Sequence, residues 1–198
     1  MKLIILAAGD SFELHGFNKL LINHPVNEKN ILETYQEIFN IDKVQIVVGY
    51  KAMELMNIYP QFEYIYNKNW QISGSSFSLS MALDNEPSYV VSSDFFIDNK
   101  TINNLNSLEN GAVIIEEENK RLSSLKVSVK NDFIVDVFSG KSIQNNQELI
   151  GIYKITHADI LNKWKVNCIK KFGMNLKLKK KKFHLLNLFT NIKEKYYK

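Results

Sequence analysis

Lys19 and Asp94 are the two charged residues whose surroundings in this chain read as a site. Leu3-Ile4-Ile5-Leu6-Ala7-Ala8 is a continuous apolar run, the pattern of a strand buried on both faces in a parallel sheet. It closes on Ala7, Ala8 and Gly9, which are too small to hold a close ligand away. Asp10 to Asn18 has no apolar periodicity and contains Gly16, which predicts a loop over the strand's carboxyl end. Open α/β sheets bind ligands at such ends. Lys19 returns from the loop carrying a point charge suited to phosphate. Asp94 follows a second apolar strand, Tyr89-Val90-Val91-Ser92-Ser93, where a carboxylate can hold a divalent cation that bridges phosphate oxygens. The alternative for Asp94 is a turn or cap before a helix near Thr101. Loop, ammonium and carboxylate together point to phosphate transfer.

Positioning these groups takes alternating strands and helices. Ile31, Leu32, Tyr35, Ile38 and Phe39 recur at helical spacing, with Asn27 placed to cap them. Val44 to Val48 predicts a second buried strand, and a short helix follows through Ala52, Leu55, Met56 and Tyr59 to Pro60. Phe62 to Tyr66 predicts a third strand. A polar loop from Asn67 to Gly74 leads to a helix capped by Ser75 or Ser76. This alternation means a parallel sheet with right-handed crossovers. After Gly111 the pattern changes. Ala112–Glu116, Leu125–Lys130 and Phe133–Phe138 have no long helix between them, and Asn131-Asp132 reads as a hairpin turn. Leu149–Ile155 predicts a last strand, Thr156 caps a helix through Trp164, and Leu188–Tyr197 predicts a terminal helix. The expectation is one α/β domain over residues 1–198 with a late antiparallel elaboration.

Composition narrows the class. The lone cysteine, Cys168, cannot form an internal disulfide and suits a reducing compartment, so a cytoplasmic location is expected. The apolar run at the start is too short for a secretory leader, and no stretch approaches a membrane span. The net charge of +4 is uneven, because ten lysines and one glutamate fall from Lys170 onward. That segment reads as a solvated basic face; no aromatic motif accompanies it, so nucleic acid is not expected as a partner.

The run Leu6-Ala7-Ala8-Gly9-Asp10-Ser11-Phe12-Glu13, then Asn18-Lys19-Leu20-Leu21, resembles the opening of the sugar-1-phosphate and phosphocholine nucleotidyltransferases. Their pattern is Leu-Ala-Ala-Gly-x-Gly-x-Arg, then Pro-Lys-x-Leu. Val47-Val48-Gly49-Tyr50, Tyr66-Asn67, Ser75-Ser76-Phe77-Ser78-Leu79 and Tyr89 to Asp94 agree in the same order. Val137 to Lys141 and Gly151-Ile152-Tyr153 agree more loosely, so that the likeness spans residues 1 to 155. It implies a Rossmann-like (GT-A-like) α/β fold with a mixed, mostly parallel sheet. It implies a nucleotide held at Leu6, Ala7, Ala8, Gly9, Asp10, Ser11, Lys19, Asn67 and Ser93, with Gly74, Ser75, Ser76 and Ser78 near the base. Lys19 and Asp94 become catalytic, and Mg²⁺ is held by Asp94 and a second ligand matched to Asn187. Lys141 is matched to an acceptor-binding position, and Lys126, alternating away from Leu125 and Val127, could also face an acceptor phosphate.

Likeness to the compact phosphocholine-type members implies CTP as donor and a small phosphorylated acceptor. The stretch from Ala7 to Lys19 is also similar to bacterial enzymes that activate L-glutamine phosphate with CTP for capsular phosphoramidate. That makes L-glutamine phosphate the first expected acceptor and phosphocholine its rival, with Trp70, Phe95, Phe96 and Trp164 available to cage a choline. Two residues depart from the pattern. Ser11 replaces the second glycine and Glu13 replaces the arginine. A carboxylate 4 Å from a phosphate charge repels it by about 4 kcal/mol at an effective dielectric near 20. Glu13 therefore points away, binds metal or marks a different loop, and its presence keeps a silent nucleotide-binding regulator as a more remote alternative. A glycosyltransferase would need a tight Asp-x-Asp, which Asp94-Phe95-Phe96-Ile97-Asp98 lacks. Hydrolase elbows, phosphate-binding P-loops and dinucleotide turns have no match.

Overall fold

The computed structural model describes residues 1–10, 14–116, 125–139 and 147–178. Strand β1 (Lys2–Ala7) leads through a 3₁₀ turn (Lys19–Leu21) into helix α1 (Ile31–Phe39), β2 (Val44–Val48), α2 (Ala52–Ile58) and β3 (Glu63–Tyr66). Then come α3 (Ser75–Ala82), β4 (Ser88–Ser92) and α4 (Asn99–Asn106). Strands β5 (Gly111–Glu116), β6 (Leu125–Lys130), β7 (Phe133–Ser139) and β8 (Gln147–Ile155) precede the long helix α5 (Ala158–Leu178). The sheet runs β3-β2-β1-β4-β8-β6-β7, and β5 also pairs with β8. β1 to β4 are mutually parallel, whereas β5 to β8 pair antiparallel. The expected mixed α/β fold is therefore present, with its antiparallel half after Gly111.

Alternation along the strands builds a core on each face of the sheet. Leu3, Ile5, Ile46, Val48 and Val91 pack with Ile31, Leu32, Tyr35 and Phe39 of α1, Leu55 of α2, and Ile102 and Leu105 of α4. Ile4, Val47, Val90 and Tyr153 pack on the other face with Leu79 and Ala82 of α3 and Leu161, Trp164 and Cys168 of α5. Burying each such aliphatic side chain stabilises the fold by about 1.5–3 kcal/mol.

Local chemistry corrects several expected boundaries. Asn30, not Asn27, caps α1, because Glu33 three residues on closes a reciprocal capping box with it. Gly74, rather than a serine, is the N-cap of α3. Asp98 caps α4 by accepting from the Thr101 amide, so the cap assignment that competed for Asp94 belongs to another residue. Asn131 and Asp132 both take positive φ, as the hairpin requires. α5 does not stop at Trp164 but continues to Leu178, since neither Gly nor Pro intervenes before Gly173. The expected terminal helix, Leu188–Tyr197, lies outside the described residues.

Lys2 fixes the amino end of the sheet. Its ammonium is fully buried and donates to Gln45 Oε1, the Ala82 carbonyl at the end of α3, and Asp84 Oδ2, at 2.7–2.9 Å. Three donors meet three acceptors, so the buried charge is fully satisfied. Burial works to raise the Asp84 carboxyl; the Lys2 hydrogen bond opposes it, and the net result lies below the usual aspartate range. A depressed carboxyl stabilises the fold above its unfolded pKa, and that stabilisation is lost as pH falls through the folded value. Urea melts should show Lys2→Met less stable by about 1–3 kcal/mol. Asp84→Asn should flatten the loss of stability below about pH 4, the ordinary aspartate range.

Candidate active site

Parallel pairing brings the carboxyl ends of β1, β2 and β4 to one edge. Leu6 lies opposite Val47 on β2 and Ser92 on β4, so the segments after Ala7, Val48 and Ser92 leave the sheet side by side. The Ala8 carbonyl accepts from the Tyr50 amide, and the Val48 carbonyl from the Asn67 amide. These bonds stitch three loops together at the edge. A Cβ on Gly49 would lie 2.6 Å from the Ala8 carbonyl and 2.5 Å from Trp70 Cβ, so only glycine allows this approach. Trp70 in turn packs against Tyr50 with ring centroids 5.3 Å apart. Gly9 faces open space: a Cβ there would meet nothing within 4 Å. Leu6 and Ala7 are half-buried, Ala8 is buried, and Asp10 is exposed.

Lys19 and Asp94, 75 residues apart in sequence, meet at this edge. Lys19 Nζ lies 2.5 Å from Asp94 Oδ1. The lysine opens the 3₁₀ turn, which Asn18 caps by accepting from the Leu20 amide, and fully buried Leu20 anchors it in the core. Asp94 sits in the turn just past β4, and its Oδ2 accepts from Ser92 Oγ at 2.6 Å. Both partners remain open to solvent, at 34% and 42% side-chain exposure. An ion pair so exposed contributes about 0–1 kcal/mol. It is cheap to break.

The third wall is the segment from Asn67 to Ser78. Asn67 is fully buried, donates to Ser73 Oγ and Ser78 Oγ, and accepts from the Asn69 amide. It shapes the loop from inside. Gly74, having no side chain, provides no side-chain cap to α3. Ser75 is exposed there, while Ser76 is buried and its hydroxyl has no hydrogen-bond partner among the described residues. Buried hydroxyls without partners are uncommon, which makes this the orphan polar atom of the site. Ser93 is buried beside Asp94.

No family profile and no curated protein matches the chain by sequence. Solved structures do match in shape. CTP:phosphocholine cytidylyltransferase from Streptococcus pneumoniae superposes with a TM-score of 0.66 at 20% identity, over 86% of this chain and 78% of that one. The inositol-1-phosphate CTP transferase from T. maritima gives 0.61 at 15% identity, over 81% and 72%. A Bacillus anthracis protein described as a glucose-1-phosphate thymidylyltransferase gives 0.62 at 17% identity, over 82% and 73%. The fold is that of the nucleotidyltransferases. Within it, no described helix is long and apolar enough to cross a membrane.

The other expected site residues are either held in a buried ion pair or outside the described residues. Lys126 on β6 is 1% exposed, and its ammonium pairs with Glu148 on β8 at 2.9 Å. An acceptor phosphate at Lys126 would have to displace that carboxylate. Ser11, Glu13, Lys141 and Asn187 lie outside the described residues. By sequence pattern Ser92 is only a strand residue, although a serine two residues before a strand-end aspartate is a usable signal, and Tyr35 is only a core residue. Gly49→Ala is expected to cost about 1–3 kcal/mol by overpacking and to shift the Trp70 fluorescence, read in a urea titration.

Proposed function

We propose that the chain is a cytidylyltransferase that moves CMP from CTP to a small phosphorylated acceptor and releases pyrophosphate. The observation that carries this reading is the exposed Lys19–Asp94 pair beside the open tip at Gly9. An ammonium and a carboxylate that neutralise each other weakly can exchange partners, the lysine for phosphate and the carboxylate for a cation.

Mg²⁺ suits this donor set. Among the described residues no group of three or more His, Cys, Asp or Glu could cage a metal. Mg²⁺ characteristically takes one or two carboxylates, several waters and substrate phosphates, so the single Asp94 fits an ion shared with substrate. Asp94, with Asn187 as the proposed second ligand, would hold it, and the ion would neutralise phosphate charge as the reaction proceeds. The chain's own residues do the rest. Lys19 binds the triphosphate and stabilises the charge that gathers on the departing pyrophosphate. Ala7, Ala8 and Gly9 admit the nucleotide close to the backbone, and the start of α3 with Ser75, Ser76 and Ser78 receives the base. An oxygen of the acceptor phosphate attacks the α-phosphorus in line. The new phosphorus–oxygen bond forms as the bond to the bridging β-oxygen breaks, and pyrophosphate leaves with that electron pair. The nucleophile is already an anion, so no general base is needed; placement supplies much of the acceleration.

L-glutamine phosphate is the proposed acceptor, resting on the likeness of the Ala7–Lys19 run. Phosphocholine is the second reading, favoured by the shape match to the pneumococcal enzyme. Four nucleoside triphosphates assayed against both acceptors, aminoethylphosphonate and sugar 1-phosphates should release pyrophosphate with CTP and L-glutamine phosphate. Release with no combination would leave the silent-regulator reading. Lys19→Ala should reduce turnover by about 10²–10³. Asp94→Asn should lose most activity together with the dependence on Mg²⁺; an unchanged metal titration would sink the ligand assignment.

A further inference from the structure

Tyr35 lies in the middle of α1 and is fully buried, yet its hydroxyl reaches the site edge. Its Oη is 2.7 Å from the carbonyl of Ser92 and 2.7 Å from the carbonyl of Phe95. Those two carbonyls flank Asp94 on either side. One phenolic proton, shared between them, thus ties both ends of the short turn that carries the carboxylate. Ser92 contributes twice, because its carbonyl takes the Tyr35 hydroxyl while its own hydroxyl donates to Asp94 Oδ2. The ring is held by the edge contact with Phe39, whose centroid is 6.1 Å away.

We infer that Tyr35 is a positioning residue for the reaction: its hydroxyl pins the Ser92–Phe95 turn and thereby aims the Asp94 carboxylate. This rests on the reading of Asp94 as the cation ligand given above. Without the hydroxyl, two carbonyls lose a buried donor and the turn gains freedom that the single carboxylate passes directly to its ligand. Burial, reinforced by the charge of Asp94, pushes the Tyr35 phenol above its ordinary range. The group therefore stays a donor throughout the working pH range.

The test is Tyr35→Phe in the full chain, followed by Mn²⁺ titration in the presence of a non-hydrolysable CTP analogue, read by water-proton relaxation. Half-saturation should rise about five- to tenfold, the effect of losing one buried hydrogen bond. kcat should fall while the KM for CTP stays within about twofold. Tyr89→Phe removes another core hydroxyl, bonded to Asn106 away from the turn, and should leave metal half-saturation unchanged. 4-Aminophenylalanine at position 35 restores a donor and should return half-saturation to the wild-type value. Loss of stability in Tyr35→Phe with unaltered metal binding and kcat would overturn the positioning role alone. Wild-type protein whose Mn²⁺ binding is indifferent to Asp94→Asn would overturn the ligand reading as well. If Tyr35→Phe is too unstable to fold in buffer, the titration is run beside wild type in sucrose, which favours the compact state.

Discussion

The parallel register of β1 against β4 is the constraint from which the candidate site follows. Leu6 opposite Ser92 sets two strand ends level, so a loop leaving Gly9 and a turn leaving Ser92 must share one edge. A one-residue slip would exchange the β1 side chains between the two cores, and their close packing resists that. The distance between Lys19 and Asp94 is therefore set by hydrophobic packing far from either charge. Gly49 adds the second lateral tie, since the close approach of the Tyr50 and Trp70 segment to Ala8 closes the β2 side.

Three paired lysines show why one of them can act on a ligand. Lys2 is buried with every donor occupied, and its exchange would strand a charge in the core. Lys126 is buried against Glu148, and parting that pair would separate two opposite charges inside the fold. Lys19 is in a comparable ion pair, but both partners face water. Solvent replaces whichever partner leaves, so exchange there has a small cost. Sequence alone does not tell these three lysines apart; burial separates tether, strut and site.

Much of this was legible in the sequence because burial leaves a mark on residue type. The runs Leu3–Ala8, Val44–Val48 and Tyr89–Ser92 are apolar on both faces, and each is a central strand. The joining of Lys19 to Asp94 was legible only through the inference that parallel strands end at a common edge. Boundaries fixed by single hydrogen bonds were harder. Asn27 and Asn30 are the same residue type three apart, and Glu33 decides between them by reaching back to the Asn30 amide. Asp94 and Asp98 posed the same problem, resolved by which carboxylate meets an amide at a helix start. Tyr35 was illegible as anything but core, because helical spacing records which face is buried and not where a hydroxyl ends.

That last residue also links stability to chemistry. α1 presents Tyr35 and Phe39 to the same core, and Phe39 packs on Tyr89 of β4, the strand that carries the Asp94 turn. A packing change at Phe39 thus acts on both the ring of Tyr35 and the strand beneath its hydroxyl. Cores transmit such shifts because they are packed at crystal-like density and yield little. The carboxylate at the edge is exposed and cheaply exchanged, while the turn beneath it is fixed by a buried phenol. A site built this way keeps its ligand-facing atoms free and puts the cost of order into the core, where hydrophobic burial offsets it.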